Sequence, residues 1–250
     1  MVYETINENQ KDVETKVAII VPAFNEEELI GTTIRGIPSW VDMIIIIDDA
    51  STDNTHNIIK NEMATNPKIM VIHHAKNRGV GGAIKSGFAE FLKSDCDIMA
   101  IMAGDNQMDP NYLASLIGPI INKKADITKG NRLSKEYCSG MSTWRLFGNY
   151  ILTILTKISI GYWRVSDPQN GYVAASKDAM LKINHIDLYE GYCFENDFML
   201  KARIADLKME NVYIPARYGQ EKSGIKYFEF ILKTTLFLSK AYLIRLRTKL

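Results

Sequence analysis

The chain has 250 residues, a formal charge of +1 and 46% hydrophobic side chains, enough apolar material for one large domain or two small ones. Its charged fraction of 24% is ordinary for a globular protein and excludes wholesale disorder. The near-neutral balance lacks the basic surplus of a general nucleic-acid binder, so no nucleic acid is expected as a partner.

Residues Met1 to Lys16 are polar and lack the apolar segment of a signal peptide. Val17 to Pro22 is a continuous apolar run, the pattern of a strand buried on both faces of a parallel sheet. Asn25 to Arg35 is predicted as a helix with Glu26, Glu27 and Glu28 in its first turn, where the helix dipole favours negative charge. Met43 to Asp49 is a second buried strand ending in two acids. A helix over Asp53 to Met63 follows, with Ser51, Thr52 or Asp53 as its cap. Ile69 to His73 (strand), Gly79 to Leu92 (helix), Ile98 to Met102 (strand), Asn111 to Ile121 (helix) and Ile127 to Gly130 (strand) continue the alternation. Such alternation predicts an α/β domain with a mostly parallel sheet. Beyond Gly130 the pattern loosens into a long apolar segment at Trp144 to Tyr162 and a short strand at Gly171 to Ala175. A helix at Asn196 to Ala205, a last strand at Val212 to Pro215 and a long helix at Ile225 to Leu246 complete it. No run reaches the ~20 uninterrupted apolar residues that span a bilayer. Cys96, Cys138 and Cys193 are far apart, odd in number and without metal-ligand spacing, which fits a reducing cytoplasmic compartment.

Open parallel sheets bind ligands at the carboxyl ends of their strands. Here those ends carry Pro22, Asn25 and Glu26; then Asp48 and Asp49; then Asp105, Gln107 and Asp109. Acids converging on one crevice repel unless they hold a cation, and a divalent ion carrying a diphosphate resolves the conflict. Asp105 and Gln107 offer oxygen ligands suited to Mg2+ or Mn2+. Taken singly, each group has a plainer reading as a cap, a turn or a solvated face. The glycine-rich approach Asn77 to Ala83 opens a helix whose N–H groups can face phosphate, but it lacks the ending of a Walker loop and does not follow the first strand as a dinucleotide fingerprint does.

Val21-Pro22-Ala23-Phe24-Asn25-Glu26-Glu27, Asp48 to Thr55, Asn77-Arg78-Gly79 with Gly82-Ala83, and Gly104 to Pro110 together resemble, in order, the motifs of family 2 glycosyltransferases. Further on, Gly130-Asn131-Arg132, Arg145 with Gly148-Asn149, Asp167 to Tyr172, Phe194 to Asp197 and Tyr218 to Ser223 resemble the branch that uses dolichyl or polyprenyl phosphate. The resemblance covers roughly residues 17 to 224. It implies a GT-A fold, a Rossmann-like sheet flanked by helices, with 17–130 as the nucleotide-sugar half and 131–224 as the acceptor half. By the same resemblance Pro22, Asn25, Glu26, Asp49, Arg78, Gly79 and Asp105 border the nucleotide-sugar, and Asp105 and Gln107 hold the metal. Ala103 stands where the family often has a further acid, which puts the donor contact in doubt and admits a non-catalytic sugar-nucleotide binder.

The family inverts, so one displacement at the anomeric carbon is expected, with Asp197 as general base and Glu195 beside it. An anionic phosphate acceptor needs cations more than a base, and Arg132, Arg145 and Lys222 are the candidates. Extension of a glycan at a hydroxyl is the competing reading. Trp144 to Tyr162 and the helix within 225–250 interleave Phe, Leu and Ile with Lys226, Lys233, Lys240, Arg245 and Arg247, the pattern of helices lying on a membrane surface. Burial against the domain or in a homo-oligomer is the alternative for both. The expected place is thus the inner membrane face, peripherally held, with a nucleoside-diphosphate sugar such as UDP-glucose or GDP-mannose as donor.

Overall fold

A computed structural model describes residues 15–133, 143–183, 187–191, 193–215, 217 and 227–248. Arg145 lies in a described helix, but its side chain is outside the described part, as are Lys222 and Cys138. Seven strands form one sheet in the order β3-β2-β1-β4-β6-β5-β7. They are β1 Val17–Ala23, β2 Met43–Asp48, β3 Ile69–His73, β4 Ile98–Ile101, β5 Ile127–Asn131, β6 Val173–Ser176 and β7 Met209–Tyr213. β3, β2, β1 and β4 are parallel, β6 runs antiparallel to β4 and β5, and β7 is parallel to β5. The predicted mostly parallel sheet is present, with β6 as the reversed member.

Continuous apolarity in β1 and β2 has its cause in two separate cores. Ile20, Ile45 and Ile47 point to one face, with Phe88, Phe91, Phe194 and Phe198. Ile19, Val21, Ile44 and Ile46 point to the other, with Ile30, Ile34, Ile59, Leu113 and Leu116. Successive strand residues alternate faces, so a strand covered on both sides must be apolar at every position. The first face is covered by α3 Gly79–Lys93, α6 Lys177–Lys182 and α7 Phe194–Ile204; the second by α1 Ile30–Gly36, α2 Thr55–Thr65 and α4 Leu113–Ile121. α5 Thr143–Ile160 and α8 Tyr227–Thr248 pack on each other beside the first face.

One predicted element is corrected. The helix expected from Asn25 begins at Ile30, so Glu26, Glu27 and Glu28 lie in a turn before it. Asn25 has φ 56, in the left-handed region. The N–H groups of Asn25, Glu26 and Glu27 are taken by Ser51 Oγ, Thr55 Oγ1 and Asp53 Oδ2 at 3.0, 2.8 and 3.2 Å. These partners lie more than twenty residues downstream, and they replace the helix that local propensity favours.

α3 lies so close to the sheet that a Cβ on Gly87 would stand 2.4 Å from Ile20 Cγ2 and 3.0 Å from Ile47 Cδ1. Gly118 in α4 has open space around it. Gly87→Val is therefore expected to destabilise the fold by about 2 kcal/mol through overpacking. Gly118→Ala gains about 0.5–1 kcal/mol of helix propensity but sets a Cβ before Pro119, whose ring disfavours helical backbone there, so it is expected to be near neutral. Urea midpoints at unchanged slope measure both.

Candidate active site

The carboxyl ends of β1, β2, β4 and β5 open on one edge of the sheet, and the segment leading into β6 joins them because that strand is reversed. Asp49 is the most tightly held group there. It is 2% exposed. Its Oδ1 meets His74 Nδ1 at 2.6 Å and accepts Arg78 N–H at 2.9 Å; its Oδ2 accepts Gly79 N–H at 2.8 Å. The far nitrogen of His74 meets Ser86 Oγ at 2.8 Å. Asp49 is thus the anion at the start of α3, satisfying N–H groups that the first helical turn leaves unpaired. The loop before α7 covers the same helix start. A Cβ on Gly81 would lie 2.8 Å from the carbonyl oxygens of Tyr189 and Glu190. The glycine-rich start of α3, predicted to face phosphate, faces protein in this structure. Arg78 gives Nη2 to Glu190 Oε1 at 2.9 Å, and Lys85 reaches the same oxygen at 2.9 Å. Sequence reasoning passed over Glu190, which joins the donor side to the loop before α7.

Glu26 and Asp105 are brought together at the ends of β1 and β4. Burial pushes the Glu26 carboxyl up to about 7, with repulsion from Asp105 and then Asp53 adding to it. Asp105 Oδ1 accepts Gln107 N–H at 3.1 Å across Asn106, whose φ is 57. This tight turn presents Asp105 and Gln107 from one short loop. Pro22 is buried in β1, and its carbonyl accepts Gly104 N–H at 3.0 Å, which fixes the loop's root. Asn25 closes the neighbouring wall, its Oδ1 accepting Thr52 N–H at 2.8 Å. Ala103 donates its N–H to Met108 Sδ at 3.3 Å and brings no acid.

The acceptor-side residues reach this loop directly. Tyr172 Oη donates to Asp109 O at 3.2 Å, and a Cβ on Gly171 would stand 3.0 Å from Met108 Cε. Arg132 closes its fork on Asp167, Nε to Oδ2 at 2.7 Å and Nη2 to Oδ1 at 2.9 Å, and its N–H goes to the same carboxylate at 3.0 Å. Asp167 is fully buried, so this bidentate pair is a clasp between β5 and the segment entering β6. Lys129, also buried, donates to Asn170 O. Burial draws its ammonium down to about 8, opposed by Glu195 and Asp167. Burial in turn pushes Glu195 up, opposed by Lys129. A lysine in the middle of the strand that follows β4 and α4 was the signal available in the sequence for this pair.

Glu195 and Asp197 part company. Two residues on a helix are about 200° apart, so they leave α7 on opposite sides. Glu195 senses Lys129 at the sheet. Asp197 accepts Tyr189 N–H at 2.9 Å, pairs with Lys201 at 3.5 Å, and lines a cavity toward α8 with Lys233, Phe237 and Lys240.

Thr153, Thr156, Ser159 and Ile160 are buried on α5, and Thr234, Leu238 and Ala241 on α8; Thr156 meets Asn196 of α7, and Phe237 and Ile244 pack on the core. Many other large apolar side chains point outward, among them Phe147, Ile151, Ile154, Ile231, Leu236 and Leu243. One expected headgroup cation is corrected here. Arg245 Nη1 donates to Ile158 O, and its guanidinium lies against Gly161, so it caps the carboxyl end of α5. No helix among the described residues is long and apolar enough to cross a membrane.

Comparison with known proteins accords with this layout. Residues 18–182 match the family model for "Glycosyl transferase family 2". The chain is 31% identical to an uncharacterized protein of Methanocaldococcus jannaschii, over 86% of each. It is 34% identical to the UDP-N-acetylglucosamine–dolichyl-phosphate N-acetylglucosaminyltransferase of Methanococcus voltae, over 66% of this chain and 70% of the relative. Its fold is similar to that of glucosyl-3-phosphoglycerate synthase from Mycobacterium tuberculosis, solved with Mn2+, uridine diphosphate and phosphoglyceric acid. The TM-score is 0.68 at 18% identity, covering 90% of this chain and 78% of that one. With that match over most of its sheet, the chain belongs to glycosyl transferase family 2 and is an enzyme of the GT-A fold.

Proposed function

We propose that this enzyme is an inverting transferase moving a hexose from a nucleoside-diphosphate sugar, of UDP-glucose or GDP-mannose type, to a dolichyl or polyprenyl phosphate at the cytoplasmic membrane face. The reading rests on the convergence of Glu26 and Asp105 at one sheet edge, hard against the Asp167–Tyr172 segment of the acceptor side. In this reading 17–130 binds the donor, 131–224 the acceptor, and 225–250 lies on the membrane.

The donor set fits a hard divalent cation. Asp105 and Gln107 supply oxygen ligands, and Glu26, raised first by burial and then by the charge of Asp105, lies near them. Mg2+ or Mn2+ held by Asp105 and Gln107 would neutralise the diphosphate leaving with the nucleotide. Pro22, Asn25 and Glu26 form the wall beside it, and Asp49 acts from behind by fixing Arg78 and Gly79. A phosphate acceptor arrives already ionised and needs no general base. Glu195 and Asp197 then hold cations in place instead of taking a proton. Arg132, steered by Asp167, would meet that phosphate together with Arg145 and Lys222.

The relative from Methanococcus voltae is named for a dolichyl phosphate acceptor, and the similar Mycobacterium structure holds phosphoglyceric acid; a phosphate group is common to both. What favours the lipid is the pair α5 and α8, which buries Thr153, Thr156, Ser159 and Thr234 while leaving many large apolar side chains outside. Helices facing lipid are built this way, because the hydrocarbon solvates the large side chains.

Three measurements test the reading. Protein incubated with Mn2+ or Mg2+, a labelled nucleotide sugar and a short polyprenyl phosphate should yield label soluble in organic solvent. Asp105→Ala should cut that yield by at least about a hundredfold, the scale for losing a group that stabilises the departing charge. No lipid label from a protein that binds the donor would move the acceptor to a hydroxyl. In sedimentation with anionic vesicles, Ile154→Glu with Leu236→Glu should leave the protein in the supernatant while the parent pellets; equal sedimentation of the two would remove the membrane from the account. The third test is thermodynamic. Glu26 carries a raised folded-state pKa, so the folded state binds its proton more tightly than the unfolded chain. The stability this gives is present at low pH and is lost as pH rises from about 4.5 toward about 7. Glu26→Gln should flatten that decline in urea unfolding measured across the same range, and parallel pH profiles would show that the carboxyl is not strained.

A further inference from the structure

We infer that the outer end of the sheet carries a second metal site, of the zinc class, made by Asp48, His56 and His73. Asp48 is the last residue of β2 and His73 the last of β3, and the strand register sets them side by side. His56 stands in the first turn of α2 and leans over both. His73 Nδ1 is 3.2 Å from Asp48 Oδ2, His56 Nδ1 is 3.5 Å from the same oxygen, and the two Nδ1 atoms are 3.2 Å apart. Among the described residues these three form the group of His and acid side chains whose ligand atoms converge as metal ligands do.

The triangle has the size of one face of a zinc tetrahedron. Bonds of about 2.0–2.2 Å from zinc to nitrogen or oxygen place neighbouring ligand atoms about 3.3–3.5 Å apart. A single proton bridges one edge of such a triangle, whereas a cation at its centre serves all three. Asp48 is buried, and the two imidazoles are just under half exposed, so the fourth position opens to solvent. Two imidazoles and one carboxylate select zinc and its neighbours over Mg2+, which takes oxygen ligands.

This site is separate from the Asp105 loop. Asp48 ends β2 and Asp105 follows β4, two strand positions away in the sheet, about 10 Å at the usual spacing, with His73 on β3 one position farther out. It is nonetheless wired to the donor wall. Asp48 Oδ1 accepts Ser51 N–H at 3.0 Å, Ser51 Oγ accepts Asn25 N–H at 3.0 Å, and Thr55 Oγ1, next to His56, accepts Glu26 N–H at 2.8 Å. Metal bound at Asp48 would stiffen residues 48–56 and, through them, the turn holding Asn25 and Glu26.

The test is equilibrium dialysis of the untagged protein against Zn2+ with excess Mg2+ present, read as zinc per chain, with Co2+ absorption reporting four-coordinate geometry. One zinc per chain is expected. His56→Ala and His73→Ala should each weaken it by at least about tenfold, and Asp105→Ala should leave it unchanged. Both histidines are partly exposed, so their loss leaves the core intact, and unaltered circular dichroism would verify this. Zinc uptake that survives in the two histidine variants, or that disappears in Asp105→Ala, overturns the site. So does an absence of stoichiometric zinc in the parent protein. None of these outcomes depends on transferase activity.

Discussion

The carboxylate of Asp49 is the joint on which the donor side of the molecule turns. It sits at the end of β2, and its N–H is held by Ala23 O at the end of β1. Its oxygens take the first N–H groups of α3 and the ring of His74, just beyond β3. One buried anion thereby links three strands to the start of the helix that covers them. Leaving such a group without its partners is far more costly than any one of these bonds is stabilising. The spacing of strand end, loop and helix follows from this constraint. The same constraint holds Gly79 at φ 76, where a side chain is strained, while Gly81 must lack one because Tyr189 and Glu190 press on it.

Charges across the site fall into two kinds. Asp167 with Arg132, Glu190 with Arg78 and Lys85, and Glu195 with Lys129 are acids matched to cations across different elements. They fix the acceptor side and its contact with α3. Glu26 is of another kind: burial first, and then the like charges of Asp105 and Asp53, hold its carboxyl near neutral pH. In the proposed reading this is the position beside which a cation would sit. With Ala103 two residues before Asp105, and Asp109 turned to accept Asn111 N–H, the proposed metal site draws its second ligand of that loop from Gln107.

Much of this was legible in the sequence. Six of the seven strands were found within a residue or two because runs such as Ile44 to Ile47 suit only a doubly covered sheet; the last, expected at Val212 to Pro215, begins three residues earlier at Met209, where Glu210 and Asn211 hide it. The acids at their ends pointed to the crevice before any geometry was known. What was not legible depended on distant partners. The turn at Glu26 to Glu28 replaces a helix because Ser51, Asp53 and Thr55 take its N–H groups. The reversal of β6 has no local signature in four residues of Val, Ala and Ser. Arg132 reads as a free phosphate ligand until Asp167, 35 positions away, is seen within its fork. Asp48 and Asp49 look equivalent in the sequence, yet the pleat sends one to the histidines of the sheet edge and the other beneath α3.

The pair α5 and α8 carries the same logic to the surface. A water-exposed helix hairpin buries its large apolar side chains and shows its threonines, because water drives apolar area inward. Here Thr153, Thr156 and Thr234 are inside, and Phe147, Ile154 and Leu236 are outside. Each such side chain, about half exposed, forgoes part of the roughly 1.5–3 kcal/mol that full burial gives, so an arrangement with many of them favours an apolar neighbour. With Arg245 closing the carboxyl end of α5, the two helices are held as one unit rather than two separate arms. A rigid apolar plate beside a charged crevice suits an acceptor with a phosphate at one end and hydrocarbon at the other. In the proposed reading the crevice would take the head while the plate rests where the tail already is.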